Sequence, residues 1–229
     1  QLTDSALFKT GSGTPKAIEN SGSNSARTSN MKTTGSMSRK SSSMKSKKMK
    51  IEPGCLVACA DPADDEAVAA VSILLMKAND QVAALGVPMV LNVTDHAGRT
   101  DDTTLLEEAL LATQAARAVV LILTRRSLEV FLQVSMIVVG MSASCTMIPV
   151  NTWDFSFPNS LYYANELPRI WPSHKALSVE EAEANLKSFF KLITVFLATM
   201  GSDQVLTVNT ASVCSRIPKD YDPSKQKSL

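Results

Sequence analysis

Seven consecutive residues, Ala118-Val119-Val120-Leu121-Ile122-Leu123-Thr124, carry no charge and are almost all aliphatic. A run of this kind tolerates water on neither face, so it predicts a strand inside a sheet with a packed layer on each side. Three more short apolar runs follow the same rule. Cys55 to Ala60 stops at Asp61-Pro62, Met89 to Val93 follows Gly86 and Pro88, and Thr146 to Val150 contains Pro149, which predicts a strand end or an irregular edge.

The intervening segments have helical spacing. Val68, Val71, Leu74, Leu75 and Ala78 predict a first helix to about Asn79, with the acids from Asp61 to Asp65 capping its start. Leu105, Leu106, Ala109, Leu110 and Thr113 predict a second helix from Thr103 to Arg117. Leu128, Phe131, Leu132, Ser135, Met136 and Val139 predict a third, capped by Ser127 and ended between Gly140 and Ser144. Beyond Asn151 the chain is aromatic and Pro-rich, with a brief strand expected near Arg169-Ile170-Trp171. A long helix is expected from Val179 to Met200, burying Leu186, Phe189, Phe190, Ile193, Phe196 and Leu197. Gln204 to Ile217 is compatible with a returning strand or a packed flap. Strand and helix alternating four times predicts an α/β chain: a flavodoxin-like, three-layer fold with a mostly parallel central sheet.

Residues 1–50 stand apart. They hold ten Lys and Arg against two Asp and Glu, a net charge of +8, whereas residues 51–229 hold thirteen against twenty, a net −7. The Ser/Lys-rich stretch has few large apolar groups to offset the entropy of ordering, so a disordered basic tail is expected, followed by a domain over residues 51–218 and a flexible end over 219–229. The tail suits an acidic surface, whether nucleic acid, a lipid headgroup, a partner or the chain's own body, although nucleic acid is not the expected partner of the domain. Its hydroxyls among cations between Ser36 and Lys48 are compatible with phosphorylation, a nuclear-localisation-like patch or plain linker. Because the chain opens on Gln1, it reads as processed or as a piece of something longer.

Four cysteines, Cys55, Cys59, Cys145 and Cys214, form no disulfide-like or C-x-x-C pattern, and neither histidine lies near Cys55 and Cys59. Free thiols in a cytoplasmic protein, with no metal, are the expectation. No secretory signal is seen in the N-terminal residues. Twenty-four uncharged residues do separate Glu129 from Asp154. Their Gln, Ser, Gly and Pro content favours a buried helix followed by a buried strand over a membrane helix, and no integral membrane segment is expected.

Ligands on such folds bind beyond the carboxyl ends of the strands, which directs attention to Asp61–Asp65, Thr94–Thr100, Thr124–Ser127 and Asn151–Phe157. Neither G-x-G-x-x-G nor a P-loop is present. Asp61, Asp64 and Asp65 are compatible with a divalent cation, as in receiver domains, or with capping of the first helix. Ser127, His96 and Asp95 are the residues of a conceivable nucleophile set, without the G-x-S-x-G context such a set requires.

In order, the segments resemble a Toll/interleukin-1 receptor (TIR) domain over residues 54 to about 200. The resemblance is carried by Ala60-Asp61-Pro62-Ala63-Asp64-Asp65 after the first strand, Asp95 and Gly98 in the next loop, and Val119 to Leu128. Met147-Ile148-Pro149-Val150 and Ile170-Trp171 complete it. The family's second loop normally carries Pro-Gly where His96-Ala97-Gly98 stands. The resemblance implies either a scaffold assembling with itself or other TIR-like domains, or an enzyme cleaving NAD at its glycosidic bond. For assembly the implied binding residues are Asp61, Asp64, Asp65, Asp95, His96, Gly98, Arg99, Arg125, Ser127 and Trp153. Family enzymes use a glutamate in the helix after the third strand, commonly four residues after a Trp. Here Gln133 or an apolar neighbour occupies that place, the Trp is absent, and Glu129 is the one acid available. The leading expectation is therefore a non-catalytic signalling module without cofactor. The alternatives are an NAD nucleosidase using Glu129, or a generic flavodoxin-like or receiver-type regulatory domain.

Overall fold

A computed structural model describes residues 49–96, 102–171, 177–222 and 224. Within them the chain runs β1 (Cys55–Cys59), α1 (Asp65–Ala84), β2 (Val90–Asn92), α2 (Asp102–Ala115), β3 (Ala116–Leu123) and α3 (Phe131–Ser142). It continues through β4 (Thr146–Asn151), α4 (Leu167–Ile170), α5 (Val179–Phe189), β5 (Val195–Phe196) and α6 (Asp203–Cys214). The five strands are all parallel, in the order β2-β1-β3-β4-β5, the arrangement of a flavodoxin-like α/β fold.

The period of two along each strand divides the core. Cys55, Val57 and Cys59 of β1 and Val119, Leu121 and Leu123 of β3 face one layer, where α2, α3 and α5 contribute Leu105, Ala109, Ile137, Leu186 and Phe189. Leu56, Ala58, Val120 and Ile122 face the other, against Ala67, Val71, Leu74, Ala78 and Val82 of α1 and Leu206 and Val213 of α6. Each fully buried Leu or Ile contributes about 1.5–3 kcal/mol. The uncharged span between Glu129 and Asp154 divides into α3 and β4. One described helix, α1, is long and apolar enough by length and composition to cross a membrane; here its buried stripe packs on the sheet.

Several expectations need correction. The first helix runs to Ala84, one turn beyond Asn79, and stops before Gly86, whose φ of +64° suits glycine. Ser127 does not cap α3. It sits in a 3-10 turn, Ser127–Glu129, and its Oγ accepts the Thr124 N–H at 2.8 Å, while α3 starts at Phe131. Arg169-Ile170-Trp171 is not a strand. Pro168 opens the short α4, and Trp171 is buried, donating its Nε1–H to the Leu177 carbonyl at 3.2 Å.

The long helix to Met200 ends instead at Phe189. The chain turns through Lys191 and Leu192, leaves Ile193 80% exposed and returns as β5, where Leu197 N–H donates to the Asn151 carbonyl at 2.9 Å. A β-branched run, Ile193-Thr194-Val195, gains more by completing the sheet than by extending the helix. Gln204 to Ile217 is neither strand nor flap, because Ser202 caps α6 and Leu206, Thr210 and Val213 return at helical spacing to the core. Pro149 is buried inside β4, opposite Leu121. Since β5 pairs only with Val150 and Asn151, the missing Pro149 N–H costs no ladder bond on that side.

Beyond residue 218 the described chain still contacts the domain. The Tyr221 hydroxyl donates to the Ala115 carbonyl at 3.0 Å, and its ring lies over Gly54, where a Cβ would meet Tyr221 at 3.0 Å and φ is +82°.

All four thiols are buried and unpaired. Burial pushes Cys55 up to about 11 and Cys59 and Cys145 up to about 12, from an ordinary 9.0. These groups are neutral when protonated, and their folded values lie above the unfolded one. The stability they contribute is therefore complete below pH 9 and is lost as pH rises toward 12. Urea midpoints should be flat from pH 7 to 8.5 and then fall, Cys59 alone contributing a slope of about 1.4 kcal/mol per pH unit. A Cys59→Ala variant should show a shallower fall, and an unchanged slope would sink this account.

Candidate functional site

The two faces of the sheet part at its carboxyl edge. The segment leaving β1 feeds α1 on one face, while the segments leaving β2 and β3 feed α2 and α3 on the other, so a crevice opens between β1 and β3. There a cleft of about 400 Å³ is lined by Asp61 to Ala63, Leu105, Leu106, Arg126 and the start of α3 from Val130 to Leu132. Its walls are mainly apolar, and charge enters at Asp61 and Arg126.

Asp61 is the most constrained of these residues, being only 1% exposed. It continues the alternation of Val57 and Cys59, which directs it to the α2–α3 side. Its Oδ1 accepts the Ala63 N–H at 2.9 Å and its carbonyl accepts the Asp64 N–H at 3.2 Å, which closes the turn out of β1. Oδ2 has no hydrogen-bond partner among the described residues. Asp64 plays a different part, because its Oδ1 accepts from Glu66 N at 3.0 Å and Ala67 N at 3.3 Å and so forms the N-cap of α1. Asp65 is exposed in the first helical turn, where it complements the helix dipole. Among the described residues, no group of three or more His, Cys, Asp or Glu is placed to hold a metal.

The turn after β3 forms one rim of the cleft. Ser127 is buried beneath it, Arg125 and Arg126 are exposed, and Arg126 Nε pairs with Glu129 Oε2 at 3.6 Å. That exposed pair contributes little to stability. Glu129 lies in the 3-10 turn rather than in α3 and is not among the cleft-lining residues. Gln133 is buried, its Nε2 donating to the Ile122 carbonyl at 3.0 Å.

Trp153 belongs to a second surface. It is 69% exposed, and its indole N–H donates to Glu66 Oε1 at 3.1 Å, which also accepts from Thr199 Oγ1 at 3.3 Å. With Phe196 and Met200, 52% and 95% exposed, Trp153 surrounds a shallow apolar groove beside β5. Asp154 braces the loop by accepting from Thr152 Oγ1 at 2.5 Å and Arg125 N at 3.3 Å. Asp95 and His96 stand at the other edge, in a 3-10 turn after β2, beside a hollow between α1 and β2. Gly98 and Arg99 lie outside the described residues.

The candidate residues thus fall into three places instead of one. Asp61 and the Ser127 turn flank the cleft, Trp153 marks the β5 side, and Asp95 and His96 the β2 side. Among the described residues no hydrogen bond joins His96, beside β2, to Ser127, whose Oγ accepts the Thr124 N–H inside its own turn. The sequence did not single out Glu66 or the apolar cleft walls, whereas Asp154 lies in the Asn151–Phe157 loop to which the strand ends directed attention. Trp153 one residue from Asp154 in a strand-end loop was the available signal.

No protein-family model matches the sequence, and no curated protein matches it either.

Replacing Asp64 by Ala should remove the cap of α1 and cost about 1 kcal/mol in a chemical-denaturation curve, whereas Asp65→Asn should change stability by less than about half of that. Equal losses at the two positions would refute the assignment of Asp64 as the cap.

Proposed function

We propose that this chain is a TIR-like, non-catalytic assembly module that associates with copies of itself or with similar domains in a signalling scaffold. The observation that carries the reading is the exposed Trp153–Phe196–Met200 surface beside β5. A monomer rarely leaves large apolar side chains clustered around one groove, and an aromatic anchored by a single polar bond, as Trp153 is by Glu66, is the kind of residue that dominates an interface. The Asp95–His96 turn lies beside the opposite edge strand, β2. A contact between those unlike surfaces is heterologous and propagates head to tail, which suits a scaffold. Buried unpaired thiols suit a cytoplasmic setting, and the basic residues 1–50 add a charge by which assembly is tuned.

The non-catalytic part of the reading rests on α3. The resemblance puts Gln133 or an apolar neighbour at the family's acid position; the Gln133 amide is engaged with the sheet, and Glu129 is turned to solvent beside Arg126. A developing oxocarbenium ion needs an anion at the reacting centre, which neither residue supplies in this arrangement.

Sedimentation velocity of the full chain over a wide concentration range tests assembly. Association is expected, weakened at least tenfold by Trp153→Ala with Met200→Ser, and more modestly by Asp95→Ala. A monomer at every concentration would overturn the reading. Nicotinamide release from NAD, measured on the same samples, is expected to be absent; release lost in Glu129→Gln would make the chain an assembly-activated nucleosidase instead.

A further inference from the structure

The cleft between β1 and β3 takes no part in the assembly surfaces just described, and it contains the most demanding polar atom there. Asp61 Oδ2 is buried and without a hydrogen-bond partner among the described residues, and Asp61 lines a cavity of about 400 Å³. Buried carboxylate oxygens are ordinarily hydrogen-bonded, because a desolvated and unmatched one is strongly unfavourable. The neighbouring backbone does not meet the need: the Ala63 N–H is committed to Oδ1 and the Asp64 N–H to the Asp61 carbonyl. Among the described residues Arg126 is the other charged residue of the lining, and its guanidinium is exposed and paired with Glu129. The apolar walls of the cavity include Leu105, Leu106, Val130, Phe131 and Leu132.

We infer that the cleft is a binding site for a small organic cation, with an N–H-bearing charged head against Asp61 Oδ2 and a compact apolar body between α2 and the start of α3. Each half of the ligand follows from one half of the site. A head with positive charge and N–H donors supplies what Oδ2 lacks, in a low-dielectric setting where a charge-assisted hydrogen bond is strongest. A flat or branched hydrocarbon matches Leu106 and Phe131, which are only half-buried. An anion is disfavoured at the floor, where it would meet Asp61 directly. The cavity volume is in the range of small-molecule sites and admits a single-ring ligand. The site is at the switch point of the sheet, where helices diverge to opposite faces and leave room without distorting any strand.

Benzamidine serves as the probe, with benzamide as its neutral counterpart and benzoate as its anionic one. Binding to the full chain is read by calorimetry and by ligand-observed NMR at neutral pH. Benzamidine should bind with a dissociation constant on the order of millimolar, as a fragment of its size allows, and benzamide and benzoate at least tenfold more weakly. Asp61→Asn retains an acceptor for Ala63 N–H but removes the charge, and should weaken benzamidine at least tenfold. Leu106→Trp, which fills the cavity from the α2 wall without touching Asp61, should abolish binding while the circular dichroism of the fold is unchanged. No benzamidine binding, equal binding of the three probes, or binding that survives both substitutions would each overturn the proposal. Should Asp61→Asn fail to fold, the Leu106→Trp result and the three-probe ranking decide the matter.

Discussion

Pairing of β3 on both of its edges, with side chains buried on both of its faces, is the constraint from which the remaining structure follows. Ala118 to Leu121 registers against Leu56 to Cys59 on one side and Ala118 to Leu123 against Thr146 to Asn151 on the other, which pairs the backbone of the least polar segment in the chain. Hydrogen bonds satisfied within the sheet let that segment leave water entirely. Two helical layers are then required, since its alternate side chains face opposite ways. α2, α3 and α5 form one layer, and α1 and α6 form the other. The same requirement sends the connections after β1 and β3 to different faces, and the cleft is the space left where they part.

Polar side chains at the carboxyl edge are largely occupied in closing the turns that make this parting possible. Asp64 caps α1, Ser127 closes the exit from β3, Thr94 Oγ1 accepts the Ala60 N–H at 2.9 Å, and Asp154 braces the loop after β4. Asp61 and Asn151 differ from these in carrying a buried side-chain oxygen with no partner among the described residues, and of the two Asp61 is the carboxylate. The edge therefore separates two roles in space: a recessed, apolar-walled acid at the centre of the sheet, and an exposed aromatic surface toward β5. The proposed ligand and the proposed partner therefore draw on different residues.

The alternating apolar runs made the four longer strands and the first three helices legible, because burial on two faces and burial on one leave different periods in the sequence. The C-terminal third was less so. Phe189, Phe190, Ile193, Phe196 and Leu197 fit one helical stripe on paper, yet only the need of β4 for a neighbour at Val150 and Asn151 explains why the helix ends and β5 forms. Ser202 with Leu206, Thr210 and Val213 did carry a helical signal for α6. For the site, Asp61, Ser127 and Trp153 could be placed at strand ends from sequence, but not sorted into turn-former, cleft wall and exposed anchor.

What the sequence by itself determined is the class of architecture: local spacing of apolar residues sets which segments become strands and which become helices, and an uncharged strand can exist only between two layers. Tertiary structure alone decided the rest, namely the strand order, the short fifth strand, the Trp153–Glu66 hydrogen bond and the unmatched oxygen of Asp61. Those depend on distances between residues far apart in the chain. Periodicity along one segment carries no information about them.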